Sequence, residues 1–209
     1  MMAAMTEETG PQLVVLRGNS GSGKSTVARL VQERVGKGRC AVVGQDVVRR
    51  IILREHDASG AFNVTLIETI AMACLERDLT FVVESILHAD RYAAMLKRLR
   101  HHASRAHFYA WDLSFEETAR RHQMRPQAAE FDLDSMRSWF HGWNPLPFVD
   151  ETRFDATCST SSAVGRICSD LGPEGRTTRT DDSRSGSINR IDGISPPAHT
   201  PAPAIIEGQ

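Results

Sequence analysis

The sequence lacks the features that would direct a protein to a membrane, out of the cell or onto nucleic acid. Its 209 residues carry a net charge of −1, and no apolar run approaches the roughly 20 residues that cross a bilayer. The first eleven residues include Glu7 and Glu8 and lack the basic-then-apolar layout of a signal peptide. We therefore expect a cytoplasmic protein with no membrane partner, and the balanced charge does not favour a nucleic-acid ligand.

Cysteine is scarce, and its placement does not indicate a metal centre. The four cysteines are Cys40, Cys74, Cys158 and Cys168, and they are scattered without the spacing of metal ligands. Cys40 and Cys74 lie in apolar segments. We expect all four to be reduced thiols of the core or the surface.

Large apolar residues are missing from the end of the chain. Residues 173–209 contain no Leu, Phe, Trp or Tyr, but they hold five of the nine prolines. Such a segment cannot bury enough apolar surface to offset the entropy lost on ordering. We predict one folded domain over residues 12–171 and a disordered tail over residues 172–209.

Strand-like and helix-like segments alternate in the predicted domain. Short apolar runs predict strands at residues 13–16, 40–43, 79–83 and 106–111, and residues 152–156 are predicted as a fifth strand. Amphipathic or capped segments predict helices at residues 24–35, 47–54, 62–77, 91–101, from 114, 133–140 and 162–171. This alternation predicts a doubly wound α/β fold, in which a five-stranded parallel sheet is covered on both faces.

A glycine-rich loop directly follows the first predicted strand. It consists of Gly18, Asn19, Ser20, Gly21, Ser22, Gly23, Lys24, Ser25 and Thr26. The loop matches G-x-x-x-x-G-K-[ST] in the required strand–loop–helix setting, where backbone N–H groups can wrap a phosphate. Lys24 should reach the β- and γ-phosphates, and the Ser25 hydroxyl should ligate magnesium. We predict that ATP and Mg²⁺ bind here, although the loop alone does not separate kinases from ATPases or GTPases.

A carboxylate stands at the end of the second predicted strand, in the run Gly44-Gln45-Asp46. Parallel sheets bind ligands at the carboxyl ends of their strands. Asp46 could therefore accept the proton of an attacking hydroxyl, or it could simply cap the next helix. Arg49 and Arg50 could hold an anionic substrate group, orient the aspartate, or lie on a solvated helix face.

The third predicted strand also ends in an acid. Its apolar run leads into Glu84, an arrangement similar to a Walker B strand, and Glu84 should face the magnesium or the acceptor hydroxyl. A carboxylate at the end of a buried strand is costly unless it is used or paired. His88 follows closely, and it is either a catalytic base or a bystander in the loop.

Arginines follow the fourth predicted strand. Arg120, Arg121 and Arg125 precede Pro126 on a helix that begins with a capping box formed by Ser114 and Glu117. Kinases with a phosphate loop often cover the phosphates with an arginine-bearing lid. The alternative is a solvated basic helix end that interacts with the helix dipole.

These motifs together carry a resemblance to a known group. The run from Leu16 to Ser25, Gln45-Asp46, the segment from Glu84 to Leu87 and the run from Arg120 to Pro126 resemble small phosphate-loop proteins of the AAA-type ATPase or kinase group. That group is similar to chloramphenicol phosphotransferase and the zeta-toxin kinases. The resemblance implies a nucleoside-kinase-like fold, Asp46 as the catalytic aspartate, and Arg120, Arg121 or Arg125 as lid arginines.

The expected function is therefore an ATP-dependent phosphotransferase. It would move the γ-phosphoryl group of Mg-ATP to a hydroxyl of a small-molecule acceptor such as a metabolite, nucleoside, sugar or antibiotic. Two other functions remain open from the sequence. One is a slow ATPase that regulates a protein partner, and the other is a polynucleotide end kinase.

Overall fold

A computed structural model describes residues 10–123 and 132–172 of the chain. Within them lie five strands, of which the first four in chain order contain an apolar run and the last, Thr152–Phe154, does not. They are β1 (Gln12–Gly18), β2 (Cys40–Gly44), β3 (Thr80–Ser85), β4 (Arg105–Trp111) and β5 (Thr152–Phe154). The predicted tail beyond Gly172 and the predicted lid residue Arg125 lie outside the described residues.

Helices connect the strands. The α-helices are α1 (Lys24–Val35), α2 (Phe62–Leu75), α3 (Ala89–His102), α4 (Phe115–Gln123), α5 (Leu133–Trp139) and α6 (Thr160–Asp170). A short π-helix (Val47–Leu53) follows β2. None of the helices in the described ranges is long and apolar enough to cross a membrane.

All five strands are parallel, in the order β2-β3-β1-β4-β5. This arrangement confirms the predicted doubly wound five-stranded fold. The central strands β3 and β1 are paired in a register that sets Glu84 between Leu16 and Gly44. The ends of β1, β2 and β3 therefore meet at one edge of the sheet, where the candidate motifs lie.

The sheet separates two hydrophobic cores. Alternate residues of β1 face opposite sides, so that Val14 and Leu16 pack with α1 and α6, whereas Leu13 and Val15 pack with α2 and α3. Because both faces of the sheet are covered, its buried strands are continuous apolar runs and do not alternate between apolar and polar residues. This burial holds the strand ends in fixed positions.

The segment after β2 differs from the expected ordinary helix. It is wound as a π-helix and ends at Arg54, whose φ of 52° lies in the left-handed region. Four of its seven residues are β-branched, and such side chains crowd an α-helix. Val48 is its buried residue, whereas Ile51 and Ile52 are exposed.

The capping box predicted for α4 is only half formed. The Ser114 hydroxyl accepts a hydrogen bond from the Glu117 backbone N–H at 3.3 Å. The Glu117 carboxylate, however, binds Arg120 and Arg121 rather than returning to the start of the helix. Arginines three and four residues further along the helix are within reach of this carboxylate and outcompete a neutral backbone donor.

The cysteines form no disulfide. Cys40 and Cys168 are buried, and Cys74 and Cys158 are partly buried, all four as free thiols. Burial raises the pKa of Cys40 to about 12, so this thiol stays protonated and unreactive at neutral pH.

Candidate active site

Two glycines give the phosphate loop a backbone conformation that other residues could adopt only with strain. Gly21 and Gly23 have φ angles of 83° and 103°, in the left-handed region that side chains disfavour. A Cβ atom on Gly21 would lie 2.6 Å from the Thr118 carbonyl oxygen in α4. The loop is therefore packed directly beneath α4, the helix that carries the predicted lid arginines.

Lys24 bends back across the loop that precedes it. Its side chain is buried, with 6% of the residue exposed. The Nζ atom donates to the Asn19 carbonyl oxygen at 2.9 Å and to the Ser22 hydroxyl at 3.0 Å. The ammonium group is thus held inside the turn that backbone N–H groups would share with a phosphate.

A second segment fastens the loop from the other side. The Asn19 side-chain oxygen accepts a hydrogen bond of 3.1 Å from the His141 backbone N–H, and its nitrogen donates to the Gly142 carbonyl oxygen at 3.2 Å. Asn19 is 3% exposed. Nothing in the sequence predicted this contact, because the partners are more than 120 residues apart along the chain.

Glu84 and Ser25, the two predicted magnesium ligands, lie together. The Ser25 hydroxyl hydrogen-bonds the Glu84 carboxylate, and Lys24 and Asp46 are near enough to act on it electrostatically. Burial raises the pKa of the Glu84 carboxyl, and the nearby Asp46 adds to this, whereas Lys24 and Ser25 oppose it. A Cβ atom on Gly44 would lie 2.9 Å from the Glu84 Oε1 atom, so the glycine leaves room for the acid.

This donor set fits magnesium. Mg²⁺ prefers hard oxygen ligands and is usually held by one or two protein oxygens together with substrate phosphates and water. Ser25 and Glu84 supply such oxygens beside the phosphate loop. No group of three or more His, Cys, Asp or Glu side chains that could hold an ion on its own occurs in residues 10–123 and 132–172. Ser25 and Glu84 would therefore hold a magnesium ion that also binds phosphate.

Asp46 projects from the end of β2 with its side chain 55% exposed. Its Oδ1 atom accepts hydrogen bonds of 3.0 Å from both Arg49 and Arg50, and Oδ2 lies 3.4 Å from the Ser85 hydroxyl. The side chain makes no capping hydrogen bond to the π-helix that follows. Of the roles left open by the sequence, the helix cap is therefore not observed, and both arginines orient the aspartate.

The two described lid arginines have different surroundings. Arg121 reaches the phosphate loop, where its Nη1 atom lies 3.3 Å from the Ser22 carbonyl oxygen, and its Nη2 atom donates to Ala156. Arg120 also binds Glu117 but is 59% exposed, against 18% for Arg121. Of the two described arginines, Arg121 is therefore the one that reaches the phosphate loop.

Two histidines form a partly buried pair between β3 and the segment after α5. The ring centroids of His88 and His141 are 4.2 Å apart. Both ring nitrogens of His141 are buried without a hydrogen-bond partner in the described part of the chain. Burial, followed by the nearby His88, Arg17 and Lys24, lowers the pKa of His141 to about 4. His88, predicted as base or bystander, packs on this neutral ring.

The aromatic residues at the end of α5 and just after it do not form one surface. The Arg50 guanidinium lies 5.4 Å from the centre of the Trp139 ring, so this indole is placed beside the Asp46 cluster. Phe140 instead packs edge-on against Phe115, and Trp143 is covered by Arg153. Only Trp139 among these three adjoins the residues at the end of β2.

Residues 13–141 of the chain match the family described as AAA domain. The match covers more than half of the sequence. The chain belongs to this AAA domain family, as its motifs indicated. No protein of curated function matches it.

Solved structures share the fold of this AAA domain protein. The APS kinase CysC of Mycobacterium tuberculosis, in complex with AMPPNP and APS, has 19% sequence identity and a TM-score of 0.57 over 78% of this chain and 98% of that chain. A sugar kinase from Janibacter has 19% identity and a TM-score of 0.56, over 81% and 99%. A gluconokinase from Sinorhizobium meliloti has 19% identity and a TM-score of 0.52, over 77% and 91%. The fold is therefore that of phosphate-loop kinases.

Proposed function

We propose that this protein is a kinase that transfers the γ-phosphoryl group of ATP to a hydroxyl of a small molecule. The observation that carries the proposal is the placement of Asp46. Its carboxylate is exposed, oriented by two arginines, and within electrostatic reach of Glu84 beside the phosphate loop. An exposed and oriented carboxylate at this edge suits an acceptor hydroxyl that approaches the γ-phosphate in line.

The phosphate loop holds the nucleotide in this scheme. Backbone N–H groups of residues 18–26 surround the phosphates, and Lys24 places its positive charge against them. Ser25 and Glu84 would hold Mg²⁺, which when bound neutralises charge on the phosphate oxygens. Arg121, with Arg120 and Arg125 on the same segment, would counter the charge that develops during transfer.

The chemical step is an in-line displacement. The acceptor oxygen forms a bond to the γ-phosphorus as the bond to the oxygen bridging the β- and γ-phosphates breaks, and ADP leaves with that oxygen. The acceptor proton passes to Asp46. Because proton loss can be late in a loose phosphoryl transfer, the first task of Asp46 is to orient the hydroxyl.

The surroundings of Asp46 favour an acceptor that carries an anionic group. Arg49 and Arg50 share this one carboxylate. The buried Nε atom of Arg49 has no hydrogen-bond partner among the described residues, and a buried donor of this kind is normally satisfied. Glu55 lies near Arg49, but its oxygens accept hydrogen bonds from the start of α2. The buried Arg49 Nε atom is out of reach of solvent, whereas the Arg50 side chain is 49% exposed and is the guanidinium that an anionic oxygen of the acceptor can meet.

A phosphoryl-transfer screen tests the proposal directly. Matched pairs of acceptors that differ only in an anionic group, such as sugars and their uronic acids or nucleosides and their monophosphates, would be incubated with Mg-ATP and read by mass spectrometry. We expect a product of +80 mass units, the mass of a transferred phosphoryl group, with the anionic member favoured. Lys24→Ala is the control, because loss of its ammonium group should abolish productive nucleotide use.

Other outcomes of this screen support different functions. ATP hydrolysis without any phosphorylated acceptor would contradict the kinase proposal and favour a slow ATPase that acts through a partner. Labelling of oligonucleotide 5′ ends alone would favour a polynucleotide end kinase. Full activity of Lys24→Ala would remove the phosphate loop from the account.

A further inference from the structure

We propose that Ser85 positions Asp46 for catalysis, and that a buried chain of hydrogen bonds through Gln45 and Tyr92 holds Ser85 in place. The inference rests on the proposed function, since it assigns a task to a residue that serves the catalytic aspartate. Ser85 is a positioning residue in this account, because it touches Asp46 rather than the reacting atoms.

The hydrogen-bond chain runs from the end of β3 to the start of α2. Ser85 Oγ donates to Gln45 Oε1 at 3.1 Å, and Gln45 Nε2 donates to the Tyr92 hydroxyl at 2.8 Å. The Tyr92 hydroxyl donates to Asn63 Oδ1 at 2.9 Å, and Asn63 Nδ2 donates to Glu55 Oε1 at 2.8 Å. The single Ser85 proton is shared between Gln45 Oε1 at 3.1 Å and Asp46 Oδ2 at 3.4 Å, and the single Tyr92 proton is shared between Asn63 Oδ1 at 2.9 Å and Asp57 Oδ1 at 3.3 Å.

The side chains of this hydrogen-bond chain are buried, in surroundings where polar residues are rare. Ser85 and Gln45 are each 4% exposed, Tyr92 is 1% exposed, and Asn63 is fully buried. An unpaired polar group in such a place destabilises the fold. Every member is therefore strongly held by its neighbours, and the cluster is a rigid support rather than a flexible surface contact.

The orientation of the Gln45 and Asn63 side-chain amides fixes the position of the Ser85 hydroxyl. The Gln45 nitrogen must face Tyr92, because the Tyr92 hydroxyl directs its proton toward Asn63 and Asp57 and can only accept a hydrogen bond from Gln45. The Gln45 oxygen is then turned toward Ser85. Tyr92 and Asn63, which come from α3 and α2, thereby set the position of a hydroxyl at the end of β3.

Ser85 provides the second contact that orients the Asp46 carboxylate. The Oδ1 atom of Asp46 is taken up by Arg49 and Arg50, whereas Oδ2 faces the Ser85 hydroxyl at 3.4 Å. Contacts to both oxygens fix the plane of the carboxylate, which contacts to one oxygen cannot do. Oδ2 is free of the arginines and is therefore the oxygen that we assign to the acceptor hydroxyl.

A double-mutant cycle with steady-state kinetics tests this assignment. Ser85→Ala, Asp46→Asn and the double variant would be compared with the wild type in the transfer assay. Thr80→Val is the matched control, because it removes a buried hydroxyl from the opposite end of the same strand. Tyr92→Phe is a second variant, which removes the hydroxyl that holds Gln45 without touching Asp46.

The expected result is a specific loss of rate. Ser85→Ala should lower kcat about tenfold, the effect of one hydrogen bond, with the KM for ATP unchanged. Tyr92→Phe should lower kcat in the same direction but less, and Thr80→Val should not. In the Asp46→Asn background, Ser85→Ala should have almost no further effect, because there is no carboxylate left to position.

Three outcomes would overturn the inference, and they are distinguishable. If Ser85→Ala behaves as Thr80→Val while Asp46→Asn is inactive, Ser85 does not position Asp46 and the kinase proposal survives. If Ser85→Ala lowers kcat equally in both backgrounds, Ser85 acts independently of Asp46. If Asp46→Asn is as active as the wild type, the proposed function itself fails, and the inference fails with it.

Discussion

The Arg17 guanidinium and the Glu151 carboxylate are joined by two hydrogen bonds of 2.8 Å, with only 3% and 1% of their side chains exposed. Arg17 also donates to the Leu87 carbonyl oxygen, which a φ of 46° turns toward it. Glu151 in turn accepts from the Leu146 backbone N–H. The pair thereby ties the end of β1, where the phosphate loop begins, to the segment that fastens Asn19.

Breaking this pair should destabilise the whole domain. Glu151→Ala would leave the Arg17 charge buried without its carboxylate, for which we expect a loss of about 3–5 kcal/mol in the free energy of unfolding. Glu33→Ala is the control, since Glu33 pairs with Arg29 on the exposed face of α1, and it should change stability by less than about 0.5 kcal/mol. Urea denaturation of both variants measures the difference. Equal stability of the two would show that the buried pair contributes nothing special.

The lid arginines should differ in their effect on the rate. Arg121 contacts the Ser22 carbonyl oxygen in the phosphate loop, whereas most of Arg120 is exposed. Contacts that counter charge in the transition state appear mainly in kcat. Arg121→Ala should lower kcat by roughly tenfold or more, and Arg120→Ala should have a much smaller effect. Calorimetry should show modest changes in ATP affinity for both. Indistinguishable kcat values for the two variants would be evidence against this ranking.

The charge of Glu84 should lower the stability of the fold while supporting the magnesium-dependent rate. Burial raises the pKa of its carboxyl, which means that the ionised form needed to bind magnesium is disfavoured in the fold. Such a group stabilises the fold only while protonated, and the charged form destabilises it at neutral pH. Glu84→Gln should therefore raise Tm at pH 7 while the magnesium-dependent rate falls by about an order of magnitude or more. Calorimetric scans without magnesium separate the two effects, and a lowered Tm with full activity would contradict the assignment.

His141 should make the domain sensitive to mild acid. Its pKa of about 4 in the fold lies below the value of roughly 6.5 expected in the unfolded chain. The unfolded state therefore binds the proton more tightly, and stability present above pH 6.5 is lost as the pH falls toward 4. Between pH 7 and pH 5, Tm should fall less in His141→Asn than in the wild type. The exposed His101 provides the control variant His101→Asn, and identical slopes in all three proteins would exclude this role.

Much of the fold was predictable because the signals are local. Strands β1 to β4 each contain a short apolar run, and α1 begins at Lys24 and ends at Val35 as its flanking glycines indicate. The phosphate loop is likewise contained in nine consecutive residues. The segment after β2 was predicted as an ordinary helix, and no local pattern in Val47–Leu53 distinguished the π winding that the structure shows.

The supporting contacts of the site were beyond the sequence because they join distant segments. Glu151 lies 134 residues from Arg17, and Tyr92 lies 47 residues from Gln45. The sequence did indicate that Arg17 has a partner. It directly follows the apolar run Leu13–Leu16, and a charge on a buried strand must be paired. The identity of that partner depends on the order of the strands and the path of the loop before β5, and no local pattern specifies it.

The kinase account depends above all on Asp46, so the rate of phosphoryl transfer by Asp46→Asn is its most direct test. Asparagine keeps the shape and one acceptor oxygen but removes the charge and the basicity. With an acceptor from the screen, we predict that ATP affinity measured by calorimetry stays near the wild-type value while transfer falls on the order of 10²-fold or more. A transfer rate equal to that of the wild type would contradict the proposed mechanism and would leave only nucleotide binding in place.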